Sequence, residues 1–285
     1  MSRIAYVNGR YLPHAQATVG IEDRGFQFAD GVYEVCEVKG GQLVDERRHM
    51  ARLDRSLSEL RIARPMTPAA LAIVIRETIS RNRVRDGIVY LQITRGVARR
   101  DFPFPPAGTK ASVIVTARSN DLAKLEHLAS EGIAVVTVPD IRWQRVDIKS
   151  VALLPNVLAK QAARDQGARE AWLVDAKGFV TEGASSNAWI VSRDGKLITH
   201  PLGRDILPGI TRSVVIDVIK GQGLAFEERA FSVEEAYAAR EAFVTSASQT
   251  VMPVVSIDGR PVGNGAPGLI ASALRRDYYA KAEIT

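Results

Sequence analysis

The chain has 285 residues, of which 46% are apolar and 25% charged, a composition typical of a soluble globular protein with one large or two moderate domains. Its single cysteine, Cys36, excludes an intramolecular disulfide and a cysteine metal cluster. No apolar run approaches the roughly 20 residues of a membrane helix, and no secretory signal is visible. The formal charge of +6 comes from basic residues interleaved with acids, which is typical of solvated helix faces rather than of nucleic-acid binding. These features predict a soluble, cytoplasmic protein.

Residues 1–120 are expected to form an N-terminal α+β domain. Turn signals at Asn8-Gly9 and Gly40-Gly41 each join two alternating apolar runs, which indicates hairpins. Helical periodicity follows in RRHMARLDRSLSELRI, and Thr67 with Pro68 marks the start of a second helix. Two more strands complete the domain: GIVYLQITRG and KASVIVTAR.

Residues 121–285 are expected to form a larger C-terminal domain that binds a cofactor. The polar segment RSNDLAKLEH is the best candidate for a linker between the two domains. Beyond it, the β-branched run IAVVTVPDIRW predicts a strand before Lys149, and Ser150 is a candidate cap for the helix that follows. Strands and helices alternate from there, with a hairpin signal at Asp258-Gly259.

Three features of this second half converge on one kind of chemistry. Lys149 lies at a junction between elements, where a lysine is either a solvated charge or an amine brought into a site. Glu182 ends a predicted strand, and residues 209–211, Gly-Ile-Thr, open a helix whose free amides suit a phosphate. A reactive amine, a carboxylate for a ring nitrogen and a phosphate seat are together what pyridoxal phosphate requires.

Seven motifs between about residue 20 and residue 255 resemble, in family order, those of the class IV (fold-type IV) pyridoxal-phosphate aminotransferases. They are RGFQFADGVYEV, HMARL, VYLQITRG, DIRWQRVDIKSVALLPNVLAKQAA, VTEGASSNAWIV, ILPGITR and FVTSAS. Within that class, the chain is most similar to the D-amino-acid aminotransferases. The resemblance implies a mixed α/β fold, with a small N-terminal domain and a larger C-terminal domain built round a β-barrel-like sheet. It also implies a homodimer in which loops of the partner subunit close each site.

The resemblance also assigns roles to individual residues. Lys149 in DIKS would form the Schiff base with pyridoxal 5′-phosphate and act as the acid/base catalyst, and Glu182 would pair with the pyridine nitrogen. Arg52 in HMARL would reach the phosphate. The resemblance implies further cofactor contacts of three kinds. Ser185 and Ser186 would line the cavity, and Leu207 would pack on the ring. Two loops would bind the phosphate, one through Ile210 and Thr211 and the other through Ser246 and Ala247. No metal is expected.

The substrate's α-carboxylate is expected to meet residues of the first domain. Tyr33 matches a tyrosine of the family and Arg100 matches an arginine in the loop after TRG, but Phe102 occupies the place of the family's histidine. Phenylalanine cannot donate a hydrogen bond, so either Arg100 acts with Tyr33 alone or another group, such as Arg99, replaces the histidine. An arginine binds a carboxylate through two parallel hydrogen bonds. The side of the cofactor plane on which it does so decides which enantiomer places its α-hydrogen within reach of Lys149.

The expected reaction is therefore ping-pong transfer of an amino group from a D-amino acid, such as D-alanine, to 2-oxoglutarate or pyruvate. A branched-chain L-amino-acid transaminase or an (R)-amine transaminase of the same class remains an alternative, as does an aminodeoxychorismate lyase. A non-catalytic carrier of the cofactor is disfavoured because Lys149 and Glu182 are both present.

Overall fold

The computed structural model describes residues 3–285, which divide into two compact units. The first contains the chain up to Asp121 together with Ile148–Ala152 and Glu283–Thr285, and the second contains Leu122–Asp147 and Leu153–Ala282. The short segment that carries Lys149 thus belongs to the first unit, although the sequence suggested a simple division near residue 120. No helix in the described part of the chain has the length and apolar character needed to cross a membrane.

The first unit is built on an antiparallel sheet with helices packed against one face. Its strands within residues 3–285 are β1 (Ile4–Val7), β2 (Arg10–Pro13), β3 (Gly31–Lys39), β4 (Gln42–Leu43), β5 (Gly87–Thr94) and β6 (Ser112–Ser119). Its helices are α1 (Arg24–Phe28), α2 (Glu46–Glu59) and α3 (Pro68–Arg81). The strand order is β2-β1-β6-β5-β3-β4. Alternate residues of β3, namely Val32, Cys36 and Val38, face the core that α2 and α3 cover.

Local signals in this unit are confirmed where the chain turns or begins a helix. Asn8 and Gly9 both adopt positive φ between β1 and β2, as the hairpin signal requires. Gly40-Gly41 joins β3 to β4 in the same way. The Thr67 hydroxyl accepts a hydrogen bond from the Ala70 amide at 3.2 Å, so it caps α3 at the predicted position.

The second unit contains a larger mixed sheet and five helices within the described residues. Its strands are β7 (Ile133–Pro139), β8 (Glu170–Val174), β9 (Phe179–Gly183), β10 (Asn187–Val191), β11 (Leu197–Thr199), β12 (Phe226–Glu228), β13 (Phe231–Ser232), β14 (Glu241–Ser246), β15 (Thr250–Ile257) and β16 (Arg260–Pro261). Its helices are α4 (Leu122–Glu131), α5 (Leu154–Asp165), α6 (Ile210–Gly221), α7 (Val233–Tyr237) and α8 (Leu269–Lys281). The strand order is β12-β11-β10-β14-β15-β7-β8-β9-β13, with β16 beside β15.

The connection between β9 and β10 shows that this sheet curls strongly. The two strands stand five places apart in the strand order, which would separate them by about 24 Å in a flat sheet. Yet β9 ends at Gly183 and β10 begins at Asn187, and such a link spans at most about 14 Å. The Gly183 amide donates to the Ser186 carbonyl at 2.7 Å, so the link is a tight turn. The sheet therefore has the barrel-like curvature that the family resemblance implied.

One local prediction is met only in part, and another is wrong. The proposed linker RSNDLAKLEH contains the boundary between the two units, which falls between Asp121 and Leu122, but its residues from Leu122 onwards belong to α4, whose Leu128 and Ala129 pack on the core of the second unit. Ser150 does not cap α5, whose first residue is Leu154. The backbone of Ser150 pairs instead with Val32 of β3, and the Ser150 amide donates to the Ile148 carbonyl at 2.8 Å, so the chain turns at Lys149 before α5 begins.

Candidate active site

The backbone around Lys149 is fixed to the edge of β3. The Tyr33 amide donates to the Lys149 carbonyl at 3.0 Å, and the Val151 amide donates to the Gly31 carbonyl at 3.0 Å. The Lys149 amide itself donates to the Ser56 hydroxyl of α2 at 3.3 Å. The lysine therefore projects from a segment that is held by both a strand and a helix.

The side chain of Lys149 lies against an aromatic surface. Its Nζ atom is 3.2 Å from the Tyr33 hydroxyl and 4.2 Å from the centroid of that ring. Tyr33 stacks on Tyr90 with ring centroids 5.7 Å apart. Burial, with a smaller contribution from Tyr33, raises the pKa of Tyr90 to about 12, so its hydroxyl stays protonated and donates to Gln92 Oε1 at 2.6 Å. The structure thus brings two of the predicted residues, Lys149 and Tyr33, into contact.

Arg52 is buried in a network that the sequence did not reveal. Its Nε and Nη2 atoms donate to the two carboxylate oxygens of Glu34 at 2.8 and 2.7 Å. His49 Nδ1 is 2.7 Å from Glu34 Oε2. Burial alone would raise the pKa of Glu34, but the charge and hydrogen bonds of Arg52, aided by His49, lower it to about 2. Burial lowers the pKa of His49 despite the opposing pull of Glu34, so the imidazole is neutral near neutral pH and Nδ1–H donates.

A signal for this network is present in the sequence. Glu34 stands between Val32 and Cys36 on the core-facing side of β3, where a carboxylate needs a buried cation. His49 and Arg52 are three residues apart on α2, so they share one face of that helix. Glu34 stands among the apolar core-facing residues of β3, and two basic residues share one face of α2. This pattern would have predicted a contact between Glu34 and α2.

Glu182 is held by donors from three directions in the second unit. Arg142 Nη1 donates to Oε1, and Asn187 Nδ2 donates to Oε2 at 2.9 Å. The Leu207 amide lies 3.2 and 3.3 Å from the two oxygens. All of these donors favour the ionised form of the carboxylate. Neither Arg142 nor Asn187 was assigned a role from the sequence, although both lie within the quoted motifs.

Arg142 is in turn bound by a second carboxylate. Its Nε and Nη2 atoms donate to Asp140 at 2.9 and 2.6 Å, and the Thr181 hydroxyl donates to Asp140 Oδ2 at 2.8 Å. Burial works against the charge of Arg142, but hydrogen bonding to Asp140 and the charge of Glu182 together raise the pKa of the guanidinium. Burial likewise opposes the charge of Asp140, and its bonds to Arg142 lower the pKa of that carboxyl. Arg142 and Asp140 are therefore both charged at neutral pH.

The two serines of the turn after Glu182 face a buried carboxylate. Ser185 Oγ and Ser186 Oγ donate to Glu170 Oε2 at 2.7 and 3.1 Å. Glu170 Oε1 accepts from the Ala171 amide at 2.9 Å and lies 3.2 Å from Lys160 Nζ. The expected role of both serines in lining a cofactor cavity stays a prediction, and their observed contact is with Glu170.

The predicted phosphate loop opens α6 as expected. Gly209 occupies the N-cap position, and the buried residues Ile210 and Thr211 form the first turn, where backbone amides lack helical partners. A β-carbon at Gly209 would collide with Asn187 Oδ1. Asn187 also donates to the Leu207 carbonyl at 3.0 Å, so one side chain fixes both the entry to this helix and Glu182.

The second predicted phosphate loop is the turn between β14 and β15. Ser246 pairs with Thr250 across it, and Ser246 Oγ is 3.4 Å from Ser248 Oγ. Thr250 has a φ of 60°, a conformation that is strained for a β-branched residue. Ala247 lies within this turn, and its expected contact with the phosphate, like that of Ser246, stays a prediction.

Arg100 and Phe102 lie in an exposed loop after β5. The Arg100 guanidinium is 4.9 Å from the centroid of Phe28, and the Phe102 ring is 5.6 Å from the same ring. Arg24 fixes this loop by donating to the carbonyls of Asp101 and Phe102 at 2.7 and 3.3 Å. No hydrogen bond between Arg100 and Tyr33 is found within residues 3–285, so their shared role in binding a carboxylate stays a prediction.

The Glu34–Arg52 pair predicts a pH-dependent stability. Glu34→Gln is expected to lower the free energy of unfolding of the cofactor-free protein by about 3 kcal/mol at neutral pH, because Arg52 loses its buried counter-charge. The folded-state pKa of Glu34 is about 2 and the ordinary value is 4.5. The stabilisation by Glu34 is therefore complete above about pH 4.5 and is lost as the pH falls towards about 2. The difference in the free energy of unfolding between the wild-type protein and Glu34→Gln should therefore shrink as the pH falls through that interval.

Urea unfolding at several pH values measures this difference. Glu77→Gln is the matched control, since Glu77 pairs with Arg81 on the exposed face of α3 in the same unit, and it should change stability by less than about 1 kcal/mol. An equal loss for Glu34→Gln at pH 7 and at pH 3 would contradict the assignment.

Comparisons with known proteins agree with this arrangement. The sequence model of the family described as amino-transferase class IV matches residues 31–257. A D-alanine aminotransferase of Bacillus licheniformis is 42% identical over 261 residues, which cover 92% of this chain and 90% of that protein. A D-alanine aminotransferase of Staphylococcus haemolyticus is 40% identical over 274 residues, which cover 96% and 95%.

Solved structures with the same fold confirm the predicted architecture. A branched-chain amino acid aminotransferase of Escherichia coli superimposes with a TM-score of 0.88 at 26% identity, covering 98% of this chain and 94% of that one. A second branched-chain amino acid aminotransferase, from T.th. and solved with pyridoxamine 5′-phosphate, gives a TM-score of 0.88 at 27% identity, covering 98% and 93%. The chain belongs to the class IV aminotransferase family and has the fold-type IV architecture.

Proposed function

We propose that this protein transfers the amino group of a D-amino acid, such as D-alanine, to a 2-oxo acid, either 2-oxoglutarate or pyruvate, in a ping-pong reaction. The similarity to D-alanine aminotransferases carries the proposal, because it reaches 42% identity and extends over more than nine-tenths of the chain. The branched-chain enzymes share the fold at only 26–27% identity. That difference favours the D-amino-acid reaction over the branched-chain alternative.

The residues of the chain fit the cofactor of the family, pyridoxal 5′-phosphate. Lys149 supplies a primary amine, and Glu182 supplies a carboxylate that accepts hydrogen bonds from Arg142 and Asn187. Gly209 leaves the first amides of α6 uncovered, and a larger residue there would collide with Asn187. When bound, the cofactor supplies an aldehyde that accepts amino groups and a ring that accepts electrons.

Each predicted residue then has a defined task. Lys149 would hold the cofactor through its aldehyde group and would move a proton at the substrate's α-carbon, for which the lysine amine must be uncharged. Glu182 holds a proton on the ring nitrogen. The phosphate is bound by Arg52 and by the amides and hydroxyls of two loops: Ile210, Thr211, Ser246 and Ala247. Leu207 packs on the ring, and Ser185 and Ser186 line the cofactor's surroundings.

Substitution of the lysine tests the function directly. Lys149→Ala should lower the rate of amino transfer by more than about 100-fold, while the wild-type protein should convert D-alanine with 2-oxoglutarate faster than L-leucine or (R)-amines. Borohydride reduction of the wild-type holoenzyme, followed by peptide mapping, should label Lys149. A label on another residue would refute the role of Lys149.

The substrate comparison decides between the candidate reactions. Faster turnover of L-leucine than of D-alanine would establish the branched-chain alternative. Pyruvate release from aminodeoxychorismate would instead indicate the lyase.

The substrate carboxylate is assigned to Arg100 and Tyr33. Arg100 projects from a loop that Arg24 fixes, and a guanidinium in a fixed loop can bind a carboxylate through two hydrogen bonds. Phe102 is 81% exposed and lies against Phe28, so it replaces the family's histidine with an apolar contact.

Arg100→Ala is expected to raise the KM for D-alanine by about 10- to 100-fold, because a charge-assisted hydrogen-bonded pair is lost. The matched control is Arg99→Ala, which removes a neighbouring charge from the same loop. Steady-state kinetics of both variants decide the assignment. A large rise in KM for the Arg99 variant alone would move the role to Arg99.

A homodimer is also proposed, and its support is an apolar patch in the first unit. The patch consists of Val19, Ile21, Phe26, Val97 and Phe102, which are 44–81% exposed. Its parts are held together by the bridge between Asp23 and Val97 and by the packing of Phe102 on Phe28. Exposed apolar residues grouped in this way are typical of a protein interface.

Sedimentation equilibrium should give twice the chain mass of 31.1 kDa for the wild-type protein. Phe26→Asp should shift the population towards the single chain, because a carboxylate in the interface loses its water. Ile73→Asp is the control, since Ile73 is 68% exposed on α3 but lies outside the patch. A monomeric wild-type protein would refute the dimer. The cytoplasmic location stays a prediction from the sequence.

A further inference from the structure

We propose that the group that holds the cofactor's ring nitrogen is a unit of three residues, Asp140, Arg142 and Glu182, with a net charge of −1. In this unit Asp140 offsets the charge of Arg142, so that the charge of Glu182 stays available to a cation. Asp140 and Arg142 are positioning residues, since they act through Glu182. The proposal rests on the proposed function, because it concerns the same cofactor.

The geometry of Arg142 shows that one guanidinium serves both carboxylates. Its Nε and Nη2 atoms form a two-point contact with Asp140 at 2.9 and 2.6 Å, and Nη1 donates to Glu182 Oε1. Nη2 also contacts the Thr181 hydroxyl at 3.3 Å and the Asp205 carbonyl at 3.2 Å. Such a fork fixes the plane of the guanidinium and thereby the direction of the contact with Glu182.

The balance of charge explains why Asp140 is needed. Arg142 and Glu182 alone form a neutral pair, and a protonated ring nitrogen beside a neutral pair would carry an uncompensated positive charge. Arg142 and Glu182 each expose only 5% of their side chains and Asp140 exposes 13%, so water screens these charges weakly. With Asp140 ionised, the unit carries −1 and becomes neutral when the ring nitrogen is protonated.

Arg142 has the complementary task of orientation. Two further donors to Glu182, the Asn187 amide group at 2.9 Å and the Leu207 backbone amide at 3.2–3.3 Å, are themselves uncharged and leave the carboxylate negative. Arg142 fixes the orientation of the Glu182 carboxylate. Asp140 offsets the positive charge of Arg142, so that the unit keeps its net charge of −1. The two residues therefore matter as a pair, and the loss of both should be milder than the loss of Asp140 alone.

A charge-swap series on the holoenzyme tests this proposal with a readout other than activity. Each protein is loaded with pyridoxal phosphate labelled with nitrogen-15 in the ring, and the ring-nitrogen chemical shift is followed by NMR from about pH 6 to about pH 9. The variants are Asp140→Asn, which brings the unit to zero charge, and Asp140→Asn/Arg142→Met, which restores −1. Thr181→Val removes the hydroxyl that bonds to both Asp140 and Arg142 without altering the charge of the unit, and Glu126→Gln removes the exposed partner of Arg275, which lies outside the unit.

The wild-type ring nitrogen should stay protonated over this range, as should that of the Thr181 and Glu126 variants. In Asp140→Asn it should lose its proton within the range, and kcat for D-alanine should fall by about 10- to 100-fold. The double variant should recover the protonated signal and part of kcat. If Asp140→Asn instead releases the cofactor, retention by the double variant supports the proposal, and release by both overturns it.

The test separates this proposal from the proposed function. A protonated ring nitrogen in both the wild-type protein and Asp140→Asn would overturn the charge role of Asp140 and leave the transaminase assignment intact. If the double variant loses the ring-nitrogen proton and kcat as much as Asp140→Asn does, Asp140 and Arg142 serve only as structural support. A wild-type protein that binds no labelled cofactor would overturn the proposed function itself.

Discussion

The pairing of residues 148–151 with the edge of β3 is the constraint on which the site in the first unit depends. It fixes Lys149 to a strand whose side chains alternate between two faces. Tyr33 points to one face and meets the lysine amine, while Glu34 points to the other face and meets Arg52. One strand thus places the amine and separates it from the buried ion pair behind it.

Buried carboxylates recur through both units, and each is compensated locally. Glu34 has Arg52 and His49, Glu182 has Arg142 and Asn187, and Glu170 has two serines and Lys160. A buried ion pair often contributes little net stability, because desolvation offsets the attraction, whereas a lone buried charge is strongly destabilising. Such pairs are therefore better explained as devices that fix the direction of side chains than as a source of stability.

The sequence predicts the parts of this molecule that local chemistry decides. The hairpin at Asn8-Gly9 and the start of α3 at Pro68 follow from residues within one or two turns, and the structure confirms them. Ser150 failed as a helix cap because a distant strand captured its backbone. Arg142 was invisible as a partner of Glu182, and Asp140 as a partner of Thr181, because the members of each pair lie about 40 residues apart along the chain. The family motifs include Lys149, Glu182 and Arg142, but only the tertiary structure reveals that Arg142 binds Glu182.

The curl of the larger sheet explains why the residues around Glu182 lie so close together. It brings the end of β9 against the start of β10, where a side chain at Gly183 would collide with Ser186 and one at Gly209 would collide with Asn187. Asn187 occupies the centre of this crowded region and donates both to Glu182 and to the Leu207 carbonyl that leads into α6. A change in sheet curvature would therefore move the carboxylate and the helix start together. Glycine at 183 and 209 suits that coupling, since a β-carbon would come within 2.2 Å of Ser186 Oγ at the first position and within 1.9 Å of Asn187 Oδ1 at the second.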